Sequence, residues 1–104
     1  MDIKEIMGKV EELHKKIINL QEELSSKEVE ASSGGGMVTA VVNGIGQLVK
    51  IQIDPTVVDP NDIQMLQDLV VAAVNEALKK AKELREEEIA KLTGGLKIPG
   101  IDLF

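Results

Sequence analysis

Seven aliphatic side chains near the N-terminus recur at alternating steps of three and four residues. They are Ile3, Ile6, Val10, Leu13, Ile17, Leu20 and Leu24. This spacing places all of them on one stripe of an α-helix, as in the heptad repeat of a coiled coil. The sequence therefore predicts a long amphipathic N-terminal helix whose apolar stripe needs a packing partner.

The middle of the chain carries the patterns of three short antiparallel strands. Residues 27–33 alternate weakly in polarity, which predicts an edge strand. Residues 37–43 form a β-branched run, and Asn43-Gly44 predicts a tight type I′ hairpin turn. The return strand then alternates between apolar and polar side chains over Val49, Lys50, Ile51, Gln52 and Ile53. This alternation indicates a sheet with one buried face.

A second long helix is predicted after the sheet. The segment Asp59-Pro60-Asn61-Asp62 combines an N-cap carboxylate with proline at the first helical position and an acid in the first turn. No helix-breaking residue follows until Thr93, and Gly94-Gly95 is a typical C-terminal stop. The predicted fold class is α+β, in the order α-β-β-β-α. We expect one domain over residues 1–95 and a flexible tail over residues 96–104.

Two long helices on a small sheet leave more apolar surface than one chain of 104 residues can cover. Pairing with a second copy would cover that surface, so we expect a homodimer. The side chains expected in the dimer core are aliphatic residues of the last strand and the second helix. They are Val49, Ile51, Ile53, Ile63, Leu66, Val70, Ala73, Val74 and Ala77.

Composition excludes several classes of function. The chain has no cysteine, which excludes thiolate metal sites, and its one aromatic residue is Phe104, so no platform for unpaired bases is expected. No catalytic motif is recognisable, and we expect no enzyme activity, no cofactor and no small-molecule substrate. The longest apolar run, Leu69 to Val74, is far shorter than the ~20 residues that span a bilayer, so no membrane partner is expected.

Basic residues group on both predicted helices. They are Lys15 and Lys16 on the first helix, and Lys79, Lys80, Lys82 and Arg85 on the second. Such groups are in most cases solvated helix faces, and Glu76 lies one turn before Lys80, as in an ordinary ion pair. The net charge of −6 repels phosphate. Charge alone therefore does not distinguish a DNA-binding surface from an ordinary solvated helix face.

Seven short motifs follow one another between residues 34 and 95. They are Gly34-Gly35-Gly36-Met37-Val38-Thr39, Val42-Asn43-Gly44-Ile45-Gly46, Ile51-Gln52-Ile53-Asp54-Pro55, Val58-Asp59-Pro60, Met65-Leu66-Gln67-Asp68-Leu69, Ala73-Val74-Asn75-Glu76-Ala77 and Leu92-Thr93-Gly94-Gly95. In order and spacing they resemble the signature of the YbaB/EbfC family of bacterial nucleoid-associated proteins. The resemblance implies a homodimer whose projecting helix ends bind double-stranded DNA, mainly through backbone phosphates and with loose sequence preference. It also implies a place on the nucleoid, in the cytoplasm, and an influence on gene expression.

The leading hypothesis joins this resemblance to the basic groups. Paired arms of a homodimer would present the six basic residues named above to DNA phosphates. Their assignment comes from charge and position, because the arms carry no motif of the family. The alternative hypothesis is an acidic dimeric adaptor, which binds a protein partner and does not contact DNA.

Overall fold

A computed structural model describes residues 2–94 and has the predicted order of elements. Helix α1 spans Ile3–Ser26 and helix α2 spans Ile63–Leu92. Between them lie strand β1 at Glu28–Ser33, strand β2 at Val38–Asn43 and strand β3 at Leu48–Ile53. Short 3-10 turns at Gly34–Gly36 and Pro55–Val57 complete the connections. The expected α+β fold, with a long helix at each end of a three-stranded antiparallel sheet, is confirmed. The tail expected over residues 96–104 lies outside the described residues.

The sheet has the strand order β1-β2-β3, so β2 is central and β1 is an edge strand, as predicted. Ala40 lies opposite Ala31 on one side and opposite Ile51 on the other. Helix α2 packs across β1 and β2, and alanines line its contact face. The buried core consists of Ala31, Val38, Ala40, Val42, Ala73, Ala77 and Ala81. These small side chains let the helix lie close to the sheet.

The hairpin between β2 and β3 is wider than the sequence predicted. Asn43 is the last residue of β2, and within residues 2–94 only glycines have a positive φ, so the predicted type I′ turn is wrong. The chain instead reverses over residues 44–47, with Gly46 at a φ of 89°. The Asn43 side chain closes this loop, because its Oδ1 accepts from the Gln47 N–H at 2.9 Å. The wider loop leaves Gly44 available for contacts with α1.

Helix α2 begins at Ile63, later than predicted. Asp62, rather than Asp59, is the N-cap, and its carboxylate accepts a hydrogen bond from the Met65 N–H at 3.1 Å. Asp59 closes the preceding turn, where its carboxylate accepts from the Asn61 N–H at 2.9 Å. Both residues are suitable caps by type. The Asp59 carboxylate is already bonded within the preceding turn, so the helix is capped by Asp62 instead.

The molecule is elongated, with principal extents of 69 × 22 × 16 Å. The apolar stripe of α1 is covered unevenly, since Leu20 and Leu24 are buried whereas Ile3 and Val10 are 72% and 62% exposed. Residues 3–19, in α1, and residues 82–94, at the end of α2 and just beyond it, contain no buried side chain. We name these two segments the helical arm, and residues 20–81 the body.

Candidate nucleic-acid interface

The six basic residues selected from the sequence lie partly on the arm and partly on the body. The arm carries Lys15, Lys16, Lys82 and Arg85, and the adjacent end of the body carries Lys79 and Lys80. All of the lysines among them are exposed, whereas Arg85 is half-buried. The structure thus places the six residues along two helices, and three of them, Lys16, Lys80 and Arg85, also have contacts within the fold.

Lys80 is bound to the edge of the sheet. Its Nζ donates a hydrogen bond to the carbonyl oxygen of Glu30 at 3.0 Å. Glu30 belongs to edge strand β1, whose outer backbone groups have no neighbouring strand in the described part of the chain. The ammonium group of Lys80 therefore caps a sheet edge, which competes with any contact to a phosphate.

Arg85 is bound to the hairpin. Its Nη1 donates a hydrogen bond to the carbonyl oxygen of Gly44 at 3.1 Å. The N–H of the same glycine donates to the carbonyl oxygens of Leu24 at 2.8 Å and Lys27 at 2.9 Å, at the end of α1. We name Leu24, Gly44 and Arg85 the junction. It connects α1, the hairpin and α2 at the place where the arm leaves the body.

The remaining lysines are more accessible. Lys15, Lys79 and Lys82 are exposed. Lys16 forms an ion pair with Glu12 at 3.3 Å, with 54% and 66% of the two side chains exposed. A pair this exposed contributes at most ~1 kcal/mol. A DNA phosphate can therefore replace the glutamate at little energetic cost.

Charge is divided unevenly between the arm and the body. Residues 20–81 carry four basic and nine acidic side chains, so the body is strongly negative. Residues 3–19 carry four lysines and three glutamates, and residues 82–94 carry three basic and four acidic side chains, so the arm is neutral overall. Repulsion of phosphate is therefore weakest at the arm, where screening by salt reduces the influence of the distant body.

Two further lysines on the α1 part of the arm are absent from the predicted set. Lys4 and Lys9 are both exposed on α1. Lys4 precedes Lys15 by eleven residues and Lys9 precedes Lys16 by seven, and both separations return to nearly the same helix face. At 1.5 Å per residue the two rows are about 16 Å and 10 Å long. This periodicity is the sequence signal that identifies them.

The nine residues expected in a dimer core differ widely in exposure. Ala73 and Ala77 are fully buried inside the single chain and belong to its own core. Four others pack against that core and are half-buried, namely Ile51, Leu66, Val70 and Val74. The exposed members are Val49, Ile53 and Ile63, at 52%, 40% and 47%. Together with the exposed residues Leu48 and Val58, they form an apolar surface around β3 and the start of α2.

Within residues 2–94 no group of three or more His, Cys, Asp or Glu side chains is placed to hold a metal ion. No helical stretch in this part of the chain combines the length and apolarity needed to cross a membrane. Asp54 has a lowered pKa because its carboxylate accepts hydrogen bonds from the N–H and the hydroxyl of Thr56. That carboxylate caps the turn Pro55–Val57, so the pKa shift has a structural cause.

Sequence comparison finds close relatives over nearly the full length. The profile of the YbaB/EbfC DNA-binding family matches residues 1–96. A nucleoid-associated protein of Syntrophobacter fumaroxidans is 52% identical over 97 residues, which cover 93% of this chain and 88% of the relative. A nucleoid-associated protein of Pelotomaculum thermopropionicum is 46% identical over 100 residues, which cover 96% of this chain and 95% of the relative.

Structural comparison agrees with this result. The crystal structure of an uncharacterized protein from Helicobacter pylori superimposes with a TM-score of 0.81 at 29% sequence identity. The match covers 89% of this chain and 98% of the other. The sequence match extends over the arm, the junction and the sheet alike. The chain therefore belongs to the YbaB/EbfC DNA-binding family.

Proposed function

We propose that this chain is a nucleoid-associated protein that binds duplex DNA as a homodimer, mainly through backbone phosphates. The observation that carries the proposal is the neutral, lysine-bearing helical arm on an otherwise acidic molecule. Membership of a DNA-binding family supports it and favours binding over catalysis. Relatives named nucleoid-associated proteins support a location on the nucleoid, in the cytoplasm. Binding there would organise the nucleoid and influence gene expression.

The homodimer supplies two arms. The apolar surface around β3 is the place where a second copy would pack, because Val49, Ile53 and Ile63 are each at least 40% exposed. Within residues 2–94, strand β3 is also an edge strand, with one row of backbone groups that has no neighbouring strand. Burial of apolar area there contributes about 25 cal/mol per Å² to association, and only the surplus over the lost rotational and translational freedom stabilises the dimer. Two copies joined here carry two sets of arm lysines.

Phosphate contact accounts for the mode of binding. Lys15, Lys16, Lys79 and Lys82 are exposed, so eight ammonium groups in a dimer can each meet one phosphate. Each neutralised phosphate releases counterions, which gives a slope of about −0.9 in log K against log salt, or about −7 for eight. Lysine contacts phosphate as a point charge and does not read base edges. Loose sequence preference follows.

The test is a band-shift titration of the purified dimer at several salt concentrations on unrelated duplexes. The variant Lys15→Gln/Lys82→Gln removes four charges from the dimer, and we expect a slope that is shallower by about 3 to 4. The control is Lys50→Gln, which removes an exposed charge from the body and leaves the slope unchanged. Absence of binding at low salt, salt-independent binding, or an equal effect of the control variant would refute phosphate contact by the arm.

Oligomeric state is tested separately by light scattering. We expect a dimer at low micromolar concentration, and we expect Ile53→Asp to dissociate it because a charge enters the apolar surface. Gln52→Asp is the matched control, since neighbouring residues of a strand point to opposite faces of the sheet. A monomeric wild-type protein, or equal dissociation by both variants, would contradict this dimer surface.

A protein-interaction adaptor is the second candidate, and the apolar side of the arm favours it. Ile3, Ile6, Met7 and Val10 are 72%, 44%, 58% and 62% exposed, and the net charge is −6. Such a surface is typical of a site for another protein. A pull-down from nuclease-treated lysate separates the two functions. Retention of a specific protein partner by a dimer that does not shift DNA would establish the adaptor.

A further inference from the structure

We infer that Arg85 is a positioning residue, which holds the arm in its direction through Gly44 and does not neutralise a DNA phosphate. The inference rests on the proposed binding of DNA by the arm. It differs from the role expected from the sequence, in which Arg85 is one of six phosphate ligands.

Gly44 is bonded through both of its backbone polar groups. Its N–H is shared between the carbonyl oxygens of Leu24 and Lys27, at 2.8 and 2.9 Å, and its own carbonyl accepts from Arg85 at 3.1 Å. A Cβ at this position would lie 2.6 Å from the Leu24 oxygen, so α1 reaches the hairpin only because the residue is glycine. One buried peptide thus couples the end of α1 to a side chain of α2.

Arg85 lies on α2 just beyond the body. Ala81, one turn earlier, is the final buried residue of this helix among those described. The guanidinium also lies against the second half of the hairpin, where its Nη1 is 3.2 Å from the position of a Cβ on Gly46. On α1, Leu24 lies four residues inside the body and is fully buried. The junction is therefore where the relative direction of the two arm helices is set.

Holding the arm affects DNA affinity without changing the number of phosphates contacted. An arm that is already ordered loses less conformational entropy on binding, so affinity rises through preorganisation. Loss of a phosphate ligand has a different signature, because it makes the salt dependence shallower. Lys82, three residues before Arg85 and exposed, is the natural comparison. The two roles can therefore be separated by one titration.

The experiment compares Arg85→Gln with Lys82→Gln in the full-length dimer. We expect Arg85→Gln to lower affinity about tenfold with the salt slope unchanged, and Lys82→Gln to make the slope shallower by about 1.8, for two phosphates per dimer. The chain has no cysteine, so a single spin label at Glu5→Cys reports the distance between the two arms. We expect Arg85→Gln to broaden that distance distribution and Lys82→Gln to leave it as in the wild type.

A second variant perturbs the junction and keeps every charge. Gly44→Ala displaces the hairpin from Leu24, and we expect it to reproduce the broadened distance distribution and the unchanged slope of Arg85→Gln. If Arg85→Gln loses its helical circular dichroism signal, the comparison of Gly44→Ala with Lys82→Gln still separates loss of arm position from loss of a phosphate contact. The inference is overturned if Arg85→Gln makes the slope shallower with the arm distances unchanged, or if neither junction variant alters those distances. If the wild-type dimer binds no DNA, the proposed function fails, and unchanged distances in both junction variants would overturn the inference independently.

Discussion

Replacement of Gly44 by alanine tests how α1 is attached to the rest of the protein. The added Cβ would lie 2.6 Å from the carbonyl oxygen of Leu24 and 3.0 Å from both Cβ and Cδ2 of that residue. Leu24 is fully buried, so it cannot turn outward into solvent. Either the end of α1 or the hairpin must therefore shift by about 0.4 Å or more before the contact reaches 3.0 Å.

Three contributions determine how this shift changes the free energy of unfolding. Overpacking of a closely packed site costs about 1–3 kcal/mol. The same movement stretches the hydrogen bond from the Gly44 N–H to the Leu24 carbonyl, now 2.8 Å, whose loss costs about 0.5–1.5 kcal/mol. Alanine also lowers the conformational entropy of the unfolded chain, which stabilises the folded state by about 0.4–1 kcal/mol and offsets part of this loss. The central expectation is a free energy of unfolding that is lower by about 2 kcal/mol.

Urea unfolding followed by far-UV circular dichroism measures this difference. The chain has no Trp or Tyr, so intrinsic fluorescence does not report on its folding. With an m-value near 2 kcal/mol/M, the expected loss lowers the midpoint by about 1 M. All variants are compared at one protein concentration, because the stability of a dimer depends on it.

Gly8→Ala is the matched control, since a Cβ on Gly8 meets no atom of residues 2–94 within 4 Å. Gly8 lies on the exposed side of α1, and alanine there should stabilise the helix by up to about 1 kcal/mol. A Gly44→Ala variant within about 0.5 kcal/mol of the wild type would show that the site can relax. In that case the close approach of Leu24 is not the reason for glycine, and the junction is not rigid.

Three further outcomes are expected. Leu24→Ala should lower the free energy of unfolding by about 2–5 kcal/mol, because Leu24 is fully buried, and a loss below 1 kcal/mol in urea unfolding would contradict its anchoring role. Asp62→Ala should lower stability by about 0.5–2 kcal/mol through loss of the α2 cap, whereas equal losses for Asp59→Ala would show that the cap is shared. The pKa of Asp54 is lower in the folded state, so its stabilisation is present above the unfolded pKa and is lost as pH falls through the folded pKa. Urea unfolding at a series of pH values should therefore show that the wild type has a higher free energy of unfolding than Asp54→Asn at neutral pH, and that this difference becomes smaller in acid. A difference in free energy that does not change with pH would refute this.

The helices and strands were predictable because their signals are local. The stripe from Ile3 to Leu24 repeats every three or four residues, and α1 follows it closely. The β-branched run before Asn43 became the central strand, and the weak alternation of residues 27–33 became an edge strand. Each pattern involves residues a few positions apart, where sequence spacing and spatial distance correspond.

The details that failed depend on contacts between distant parts of the chain. Asn43-Gly44 is a strong hairpin signal by itself, but the end of α1 binds the N–H of Gly44 and the chain reverses over a wider loop. At the start of α2, Asp59 and Asp62 are equally suitable caps by type, and only the turn between them decides. Local preference is a weak term, which tertiary contacts override.

The candidate site shows the same division. Sequence alone determined which residues are positive and that they lie on two long helices, because charge and helical periodicity are properties of the chain itself. Only the tertiary structure showed that Lys80 reaches Glu30, 50 residues away, and that Arg85 reaches Gly44, 41 residues away. It also placed most of the net negative charge on the body and left the arm neutral. The physical reason is that a basic side chain is identified by its type, whereas the partner that it binds is decided by which distant atoms the fold brings within about 3 Å.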